Sequence, residues 1–225
     1  MVLESTIKSL QNELQGFESK LIAVSKTYPS EKILEAYHCG QKVFGENKVQ
    51  EMVGKFEVLP KDIEWHLIGH LQTNKVKYIA PFVHLIHSVD SIKLLHEVNK
   101  QAEKNQRVIP CLLQIHIAEE ETKFGLSFKE AEELLGSEEV ASFKNILIVG
   151  LMGMATNTDD TDQIRKEFKQ LKSFFDKAKI LYLKNNIQLT ELSMGMSSDY
   201  KIALEEGSTM VRIGSALFGA RSENK

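Results

Sequence analysis

Hydrophobic residues near the start of the chain recur at steps of three and four positions. The recurring residues are Leu3, Ile7, Leu10, Leu14 and Phe17. This spacing places them on one face of a helix. We therefore predict an amphipathic helix within residues 1–18 that packs against the rest of the molecule.

After this helix, short apolar runs alternate with segments of helical periodicity. The predicted strands are KLIAVSK (20–26), KVFGEN (42–47), IEWHLIGH (63–70), VHLIHSVD (83–90), IPCLLQIHI (109–117), NILIVGLMGMA (145–155), TELSMGM (190–196, a short strand) and MVRIGSALFGA (210–220). Helical patterns lie between them. In the first of these, Ser30 is predicted to cap the helix and Gly40 to end it.

Nearly continuous apolar strands that alternate with helices are typical of a parallel sheet covered on both faces. Eight such units predict an α/β fold, a closed (β/α)₈ TIM barrel. A doubly wound open sheet is the alternative, but it favours a glycine-rich GxGxxG turn after the first strand, and that turn is missing here. With no linker-like stretch in view, we expect one domain over residues 1–225.

The composition is that of an ordinary soluble globular protein, with 42% apolar and 26% charged residues in a chain of 225. A net charge of −3 argues against nucleic acid as a partner. The pattern contains neither a signal peptide nor a membrane-length apolar run, so we expect a cytoplasmic protein without membrane contact. Cys39 and Cys111 are far apart and are interpreted as free thiols.

Polar residues at the carboxyl ends of barrel strands are the candidates for chemistry, because active sites of this fold are built there. Lys26 ends the first strand. The segments SMGMSSD and RIGSA follow the seventh and eighth strands, and Ser197 and Ser198 suggest helix caps. Loops at these two places commonly hold phosphate in this fold, with Gly214 and Ser215 offering backbone N–H groups.

In a closed barrel the eighth strand lies beside the first, which brings Lys26 toward this predicted phosphate site. The lysine could serve as a point charge on phosphate or as a Schiff-base nucleophile toward an aldehyde. A phosphorylated aldehyde such as pyridoxal phosphate satisfies both demands. Arg212 is then a candidate partner for the pyridine nitrogen.

Eight ordered motifs resemble those of the YggS/PROSC-type pyridoxal-phosphate-binding proteins, also called pyridoxal phosphate homeostasis proteins. The motifs are AVSKTYP, FGENKVQE, WHLIGHLQTNK, HSVDS, LLQIHIAEEETKFGL, GLMGMA, LSMGMSSD and GSTMVRIGSALFGAR. The family is similar to the barrel domain of fold-type III enzymes such as alanine racemase, without their β-rich domain. Three features depart from its pattern: His116 where the fifth strand usually carries Asn, an ending GARSENK without a closing Tyr, and a short segment before the first strand.

The resemblance implies that Lys26 is the Schiff-base lysine and that Arg212 faces the pyridine nitrogen. The implied cofactor-binding set is Lys26, Asn47, Met152, Ser193, Met194, Ser197, Arg212, Gly214 and Ser215. Within it, Ser193 and the backbone of Gly214 and Ser215 would hold the phosphate. Because arginine is a permanent cation, it would leave the pyridine nitrogen unprotonated and weaken the ring as an electron sink.

Two functions of different classes follow. The first is a binding and carrier protein in pyridoxal phosphate homeostasis, which would limit free aldehyde and pass the cofactor to apo-enzymes. The second is a pyridoxal-phosphate-dependent amino-acid racemase, which needs an acid–base group on each face of the substrate. Tyr28 and Tyr200 are the tyrosines to test for the second face. A cofactor-free Schiff-base aldolase would leave Arg212 without a role, and we favour a carrier that is a monomer.

Three other features keep simpler interpretations. His66 and His70 have strand spacing on one face, but without a carboxylate cluster in the pattern we interpret His66 as a core histidine and expect no metal. Residues 72–75 (QTNK) either bind an anion or form a solvated turn. The acidic run 118–122 (AEEET) is a solvated loop or a lid.

Overall fold

The computed structural model describes residues 2–120 and 124–219. Eight strands run through this part of the chain. They are β1 (Lys20–Val24), β2 (Val43–Glu46), β3 (Glu64–Leu67), β4 (Leu85–Val89), β5 (Ile109–Ile115), β6 (Ile146–Gly153), β7 (Ile187–Met196) and β8 (Met210–Ile213). Each is parallel to the next, and β8 closes the sheet on β1 with Ile22 opposite Arg212. This closed barrel confirms the predicted fold and excludes the open sheet.

Helices surround the barrel before, between and after the strands. They are α1 (Val2–Gln15), α2 (Ser30–His38), α3 (Val49–Val58), α4 (Val76–Ile79), α5 (Ile92–Lys104), α6 (Phe128–Gly136), α7 (Glu138–Ala141), α8 (Thr161–Leu181), α9 (Tyr200–Glu205) and α10 (Ser215–Phe218). A 3₁₀ turn at Thr73–Lys75 precedes α4. None of the described helices combines the length and the apolar content that crossing a bilayer requires.

The core has two layers because side chains alternate across each strand. Outward-facing residues such as Phe44 and Trp65 pack under the helices. Inward-facing residues fill the barrel itself. The apolar inner layer consists of Ile22, Leu85, Leu112, Met152 and Met210. The barrel is thus filled along its axis, so within the barrel the described residues leave room for a ligand only towards its two ends.

The first helix packs on the barrel through the apolar stripe. Ile7, Leu10 and Leu14 are buried in the outer core layer. The pattern predicted Phe17 as part of this stripe, and that prediction was wrong. Helix α1 ends at Gln15, and Phe17 is 47% exposed.

Two further local predictions were wrong. Pro29, not Ser30, occupies the N-cap of α2, and Ser30 is the first helical residue. Strand β7 is long, since it begins at Ile187 rather than Thr190. Its first half alternates buried and exposed residues, with Gln188 and Thr190 exposed. These two polar positions interrupt the apolar run from which the strand was predicted.

Candidate functional site

A cavity of about 320 Å³ opens at the carboxyl ends of the strands, where the sequence placed the chemistry. Its lining consists of Val24, Lys26, Asn47, Ile68, Met154, Met196, Ser197, Ser198, Arg212, Gly214 and Ser215. Six residues predicted from widely separated motifs meet here: Lys26, Asn47, Ser197, Arg212, Gly214 and Ser215. Two of the lining side chains are cationic, and the described lining contains no carboxylate, so the cavity suits an anion.

The structure does not bring the other three predicted residues to the cavity wall. Met152 is fully buried in the inner layer of the barrel, and Met154, one strand period further on, lines the cavity instead. Ser193 lies beneath the cavity, where its hydroxyl accepts a hydrogen bond from Arg212 at 2.6 Å. Met194 follows Ser193 on β7 and therefore faces the outer core layer under the helices.

A buried polar network holds the turn that carries Lys26. The Lys55 ammonium donates to the backbone carbonyl of Ser25 at 2.8 Å and to the carboxylates of Glu46 and Glu51, both at 2.7 Å. Ser25 donates to Glu46 at 2.6 Å, and the backbone N–H of Thr27 donates to Glu51 at 2.6 Å. The turn is thereby fixed on both sides of Lys26.

The same turn is conformationally strained, which explains why it needs this support. Thr27 has φ 69°, a left-handed conformation that a β-branched residue seldom adopts. Glu46 is fully buried, and burial raises the pKa of its carboxyl more than the nearby Lys55 lowers it. Sequence reasoning missed this network. The signals available were the glutamate at the end of the second strand and the i,i+4 spacing of Glu51 and Lys55.

Arg212 presents a buried cation to the cavity from the eighth strand. The residue is 3% exposed, and its guanidinium donates to Ser193 Oγ and, at 3.0 Å, to the carbonyl of Gly153. Burial lowers its pKa to about 10, which still leaves it charged at neutral pH. Its two protein contacts fix the orientation of the guanidinium plane.

The arginine stands at one end of a chain of hydrogen bonds along the barrel axis. His87 Nδ1 lies 3.0 Å from Ser193 Oγ, and His87 Nε2 lies 2.9 Å from His66 Nδ1. Burial lowers the pKa of His66 to about 3 and that of His87 well below its usual value. Both rings are therefore neutral at physiological pH.

The loops after β7 and β8 contact each other. The backbone N–H of Gly214 donates to Ser197 Oγ at 3.3 Å, so Ser197 links the two loops rather than capping α9, whose N-cap is Asp199. Asp199 accepts from the backbone N–H of Met196. Gly195 has φ 94°, and a Cβ there would lie 2.5 Å from that of Ala203, so only glycine fits this turn.

A larger groove of about 630 Å³ lies on the outside of the molecule. Its walls come from α8 and from Phe128, remote from the strand ends. It lacks the convergence of side chains from several strands that marks the smaller cavity. We therefore place the candidate site at the strand ends.

Comparison with known proteins identifies the family. The family model described as "Alanine racemase, N-terminal domain" matches residues 2–222. A pyridoxal phosphate homeostasis protein of Aquifex aeolicus is 43% identical over 222 residues, which is 98% of this chain and 95% of the relative. The chain belongs to the family of pyridoxal phosphate homeostasis proteins. Another member, from Schizosaccharomyces pombe, is 37% identical over 96% of this chain and 90% of its own length.

Solved structures agree with this membership. PipY of Synechococcus elongatus, with pyridoxal phosphate bound, superimposes with a TM-score of 0.86 at 34% identity, covering 96% of this chain and 100% of PipY. The PipY structure without the cofactor gives 0.89 at 35% identity, with the same coverage of both chains. Alanine racemase from Bartonella henselae, at 16% identity and a TM-score of 0.71, shares the fold over 99% of this chain and 60% of the enzyme.

The remaining predicted features lie away from the cavity wall. His70 follows the end of β3 at the surface, bonded to Asp90 at 3.1 Å and stacked on Phe124, so it does not share a strand face with the buried His66. In the acidic run, the described residues 118–120 contact the loop after β6, where Glu119 N–H donates to Thr156 at 3.0 Å. The rest of the run, 121–122, lies outside the described residues.

Proposed function

We propose that this protein binds pyridoxal phosphate as a Schiff base on Lys26 and acts as an intracellular carrier in pyridoxal phosphate homeostasis. The observation that carries the proposal is the meeting of Lys26 and Arg212 in one anion-suited cavity on neighbouring strands. The names of the relatives and the cofactor bound to PipY support it.

The residues present fit this cofactor. A volume of about 320 Å³ lies within the range of about 300–1,000 Å³ that is typical of small-molecule sites. Lys26 supplies the amine for the aldehyde. Ser197, Ser215 and the backbone at Gly214 supply hydroxyl and N–H groups for the phosphate, and Arg212 would face the ring nitrogen.

When bound, the cofactor supplies an aldehyde for reversible attachment of amines and a ring that can draw electrons. Arg212 would limit the ability of the ring to draw electrons. Its guanidinium is charged at neutral pH and cannot accept a hydrogen bond, so it would favour a ring nitrogen that carries no proton. Ser193 and the Gly153 carbonyl hold it in this role. The site therefore favours holding the cofactor over catalysing turnover.

For the racemase alternative, the two tyrosines considered as the second acid–base group have other partners in the described structure. Tyr28 donates its hydroxyl to the carbonyl of Gly219 at 2.7 Å, and Tyr200 bonds to Glu13 of the first helix at 3.2 Å. Neither belongs to the described cavity lining. Both hydroxyls are thus engaged away from the position that a second face of a substrate would require.

The attachment is tested by visible absorption of the purified protein after removal of free cofactor, for wild type, Lys26→Ala and the control Lys169→Ala on exposed α8. We expect a cofactor band in wild type and in the control, and borohydride reduction that fixes the cofactor onto the Lys26 peptide. Lack of a band in wild type incubated with excess pyridoxal phosphate refutes the proposal. A full band in Lys26→Ala refutes the assignment of the lysine.

The carrier role is tested by mixing the loaded protein with an apo-enzyme that requires pyridoxal phosphate. Transfer through contact predicts a reactivation rate that rises with the concentration of apo-enzyme. A rate fixed at the value of spontaneous cofactor release would contradict a direct carrier.

A further inference from the structure

A second cavity, of about 430 Å³, lies at the opposite end of the barrel, where the strands begin. Its lining consists of Lys20, Val43, Glu64, His66, His84, Leu85, Pro110, Val149, Thr190, Glu191 and Met210. The filled inner layer of the barrel separates it from the Lys26 cavity. It is therefore a distinct place in the molecule, which the proposed function leaves unused.

Three potential metal ligands converge in this second cavity. Glu64 and His66 lie on β3, and His84 directly precedes β4. One donor atom from each residue lies within 4.8 Å of the others, and His84 Nε2 is 3.5 Å from the Glu64 carboxylate. The rings of His66 and His84 stack in parallel, with centroids 5.5 Å apart.

His66 supplies the independent observation that points to a ligand. The residue is only 3% exposed, and among the described residues its Nε2 has no hydrogen-bond partner. Its other ring nitrogen is already engaged by His87 at 2.9 Å. Because a buried polar nitrogen without a hydrogen-bond partner is unfavourable, a bound group that engages it would be favoured.

We propose that Glu64, His66 and His84 form a divalent transition-metal site, with zinc as the cation that this donor set fits best. Two imidazole nitrogens and one carboxylate are a common protein ligand set for zinc, with a fourth position left for water. Zinc binds such donors at about 2.0–2.2 Å, so they must draw closer together than in the present structure. Glu64 and His84 can make this movement, because their side chains are 45% and 52% exposed.

The surroundings are arranged as metal sites require. With Nε2 on the metal, His66 Nδ1–H donates to His87 Nε2, and His87 Nδ1–H donates to Ser193 Oγ, so the ligand ring is held by a second residue. The ammonium of Lys20 in the same cavity would repel a cation. It is neutralised by Glu191 at 2.5 Å, which is itself held by Thr209 at 2.8 Å.

A metal here would have two consequences. It would join β3 to β4, which pair at His66–Leu85 and Leu67–Ile86. It would also fix which ring nitrogen of His66 and of His87 carries the proton. Because His87 contacts Ser193, and Ser193 accepts from Arg212, the metal would thereby influence the hydrogen bonds at the other end of the axis.

The test is equilibrium dialysis of the full-length protein against Zn²⁺, which needs no cofactor and is therefore independent of the proposed function. We expect one equivalent for wild type and at least about tenfold weaker binding for Glu64→Gln and for His84→Ala, both half-exposed positions where folding should survive. His96→Ala is the matched control. It breaks another exposed histidine–glutamate pair, 2.8 Å from Glu139, and should bind like wild type.

Circular dichroism of each variant confirms that the comparison concerns folded protein. The proposal is overturned if wild type takes up no stoichiometric zinc. It is equally overturned if Glu64→Gln and His84→Ala both bind as tightly as wild type, because the metal would then lie elsewhere.

Discussion

Acidification should destabilise this protein through the two histidines buried on the barrel axis. Burial is the largest cause of the lowered pKa of His66, followed by the charges of His84 and Lys20. For His87 the causes are burial, then His66, then Arg212. Both rings stay neutral in the folded state but take up protons once the chain unfolds.

The sign and size follow from this difference. A folded-state pKa below the unfolded value means that stability is fully present above the unfolded pKa and is lost as pH falls. The pKa of His66 drops from 6.5 to about 3 on folding. Its contribution alone should lower the free energy of unfolding by about 2 kcal/mol between pH 7 and pH 5. His87 adds a loss of the same sign, and the raised pKa of Glu46 acts in the opposite direction.

The assay is urea unfolding at pH 7 and pH 5, with a chelator present so that no metal occupies His66. The quantity compared is the loss in free energy of unfolding between pH 7 and pH 5, in wild type and in His66→Gln. Glu46 is present in both proteins, so its contribution cancels in this comparison. The change should be about 2 kcal/mol smaller in His66→Gln, whatever the substitution costs at pH 7. His96→Gln, at an exposed site, should keep the wild-type change. Equal changes in wild type and His66→Gln would refute the reasoning.

Two further predictions concern residues that lie behind the lining of the Lys26 cavity and support it. Lys55→Met leaves the carboxylate of Glu46 buried without its cation, which should lower the free energy of unfolding by about 3–5 kcal/mol in urea denaturation. Removing the carboxylate as well, in Lys55→Met with Glu46→Leu, should restore part of this loss. A double variant that is no more stable than Lys55→Met would contradict the prediction. Gly69→Ala places a Cβ 2.5 Å from the carbonyl oxygen of Asn47, so it should cost about 1–3 kcal/mol and weaken cofactor uptake. Gly54→Ala is the control, because this glycine lies in a helix with open space around it, and the substitution should stabilise the protein by about 0.5–1 kcal/mol. Thermal unfolding compares the two variants. Equal effects of Gly69→Ala and Gly54→Ala would show that the contact with Asn47 is irrelevant.

Much of the fold was available from the sequence because barrel formation depends on local patterns. Apolar runs of strand length, each followed by a helical period, leave few arrangements other than a parallel sheet wrapped by helices. The residues directly after the strands, including Lys26 and Ser197, were predictable for the cavity, since all strand ends of a parallel barrel meet at one rim.

The sequence did not predict how far along the barrel axis each strand residue lies, and therefore which residues reach the cavity. The register between β6 and β7 shifts between Ile148 and Gly150, and the register between β7 and β8 shifts after Ser193. Such irregularities decide which residue of a run reaches the rim. On β6 the residue that lines the cavity is Met154, two positions beyond the predicted Met152.

The sequence by itself determined the barrel, the rim that carries the chemistry and the lysine and arginine that meet there. Only the tertiary structure decided the interactions inside: Lys55 with Glu46 beneath the Lys26 turn, and the axis of His66, His87, Ser193 and Arg212, drawn from four strands. The physical reason is that a periodic pattern reports which face of an element is apolar, whereas a buried hydrogen bond requires two particular atoms about 3 Å apart. That distance is fixed by strand register and barrel closure, which no local pattern contains.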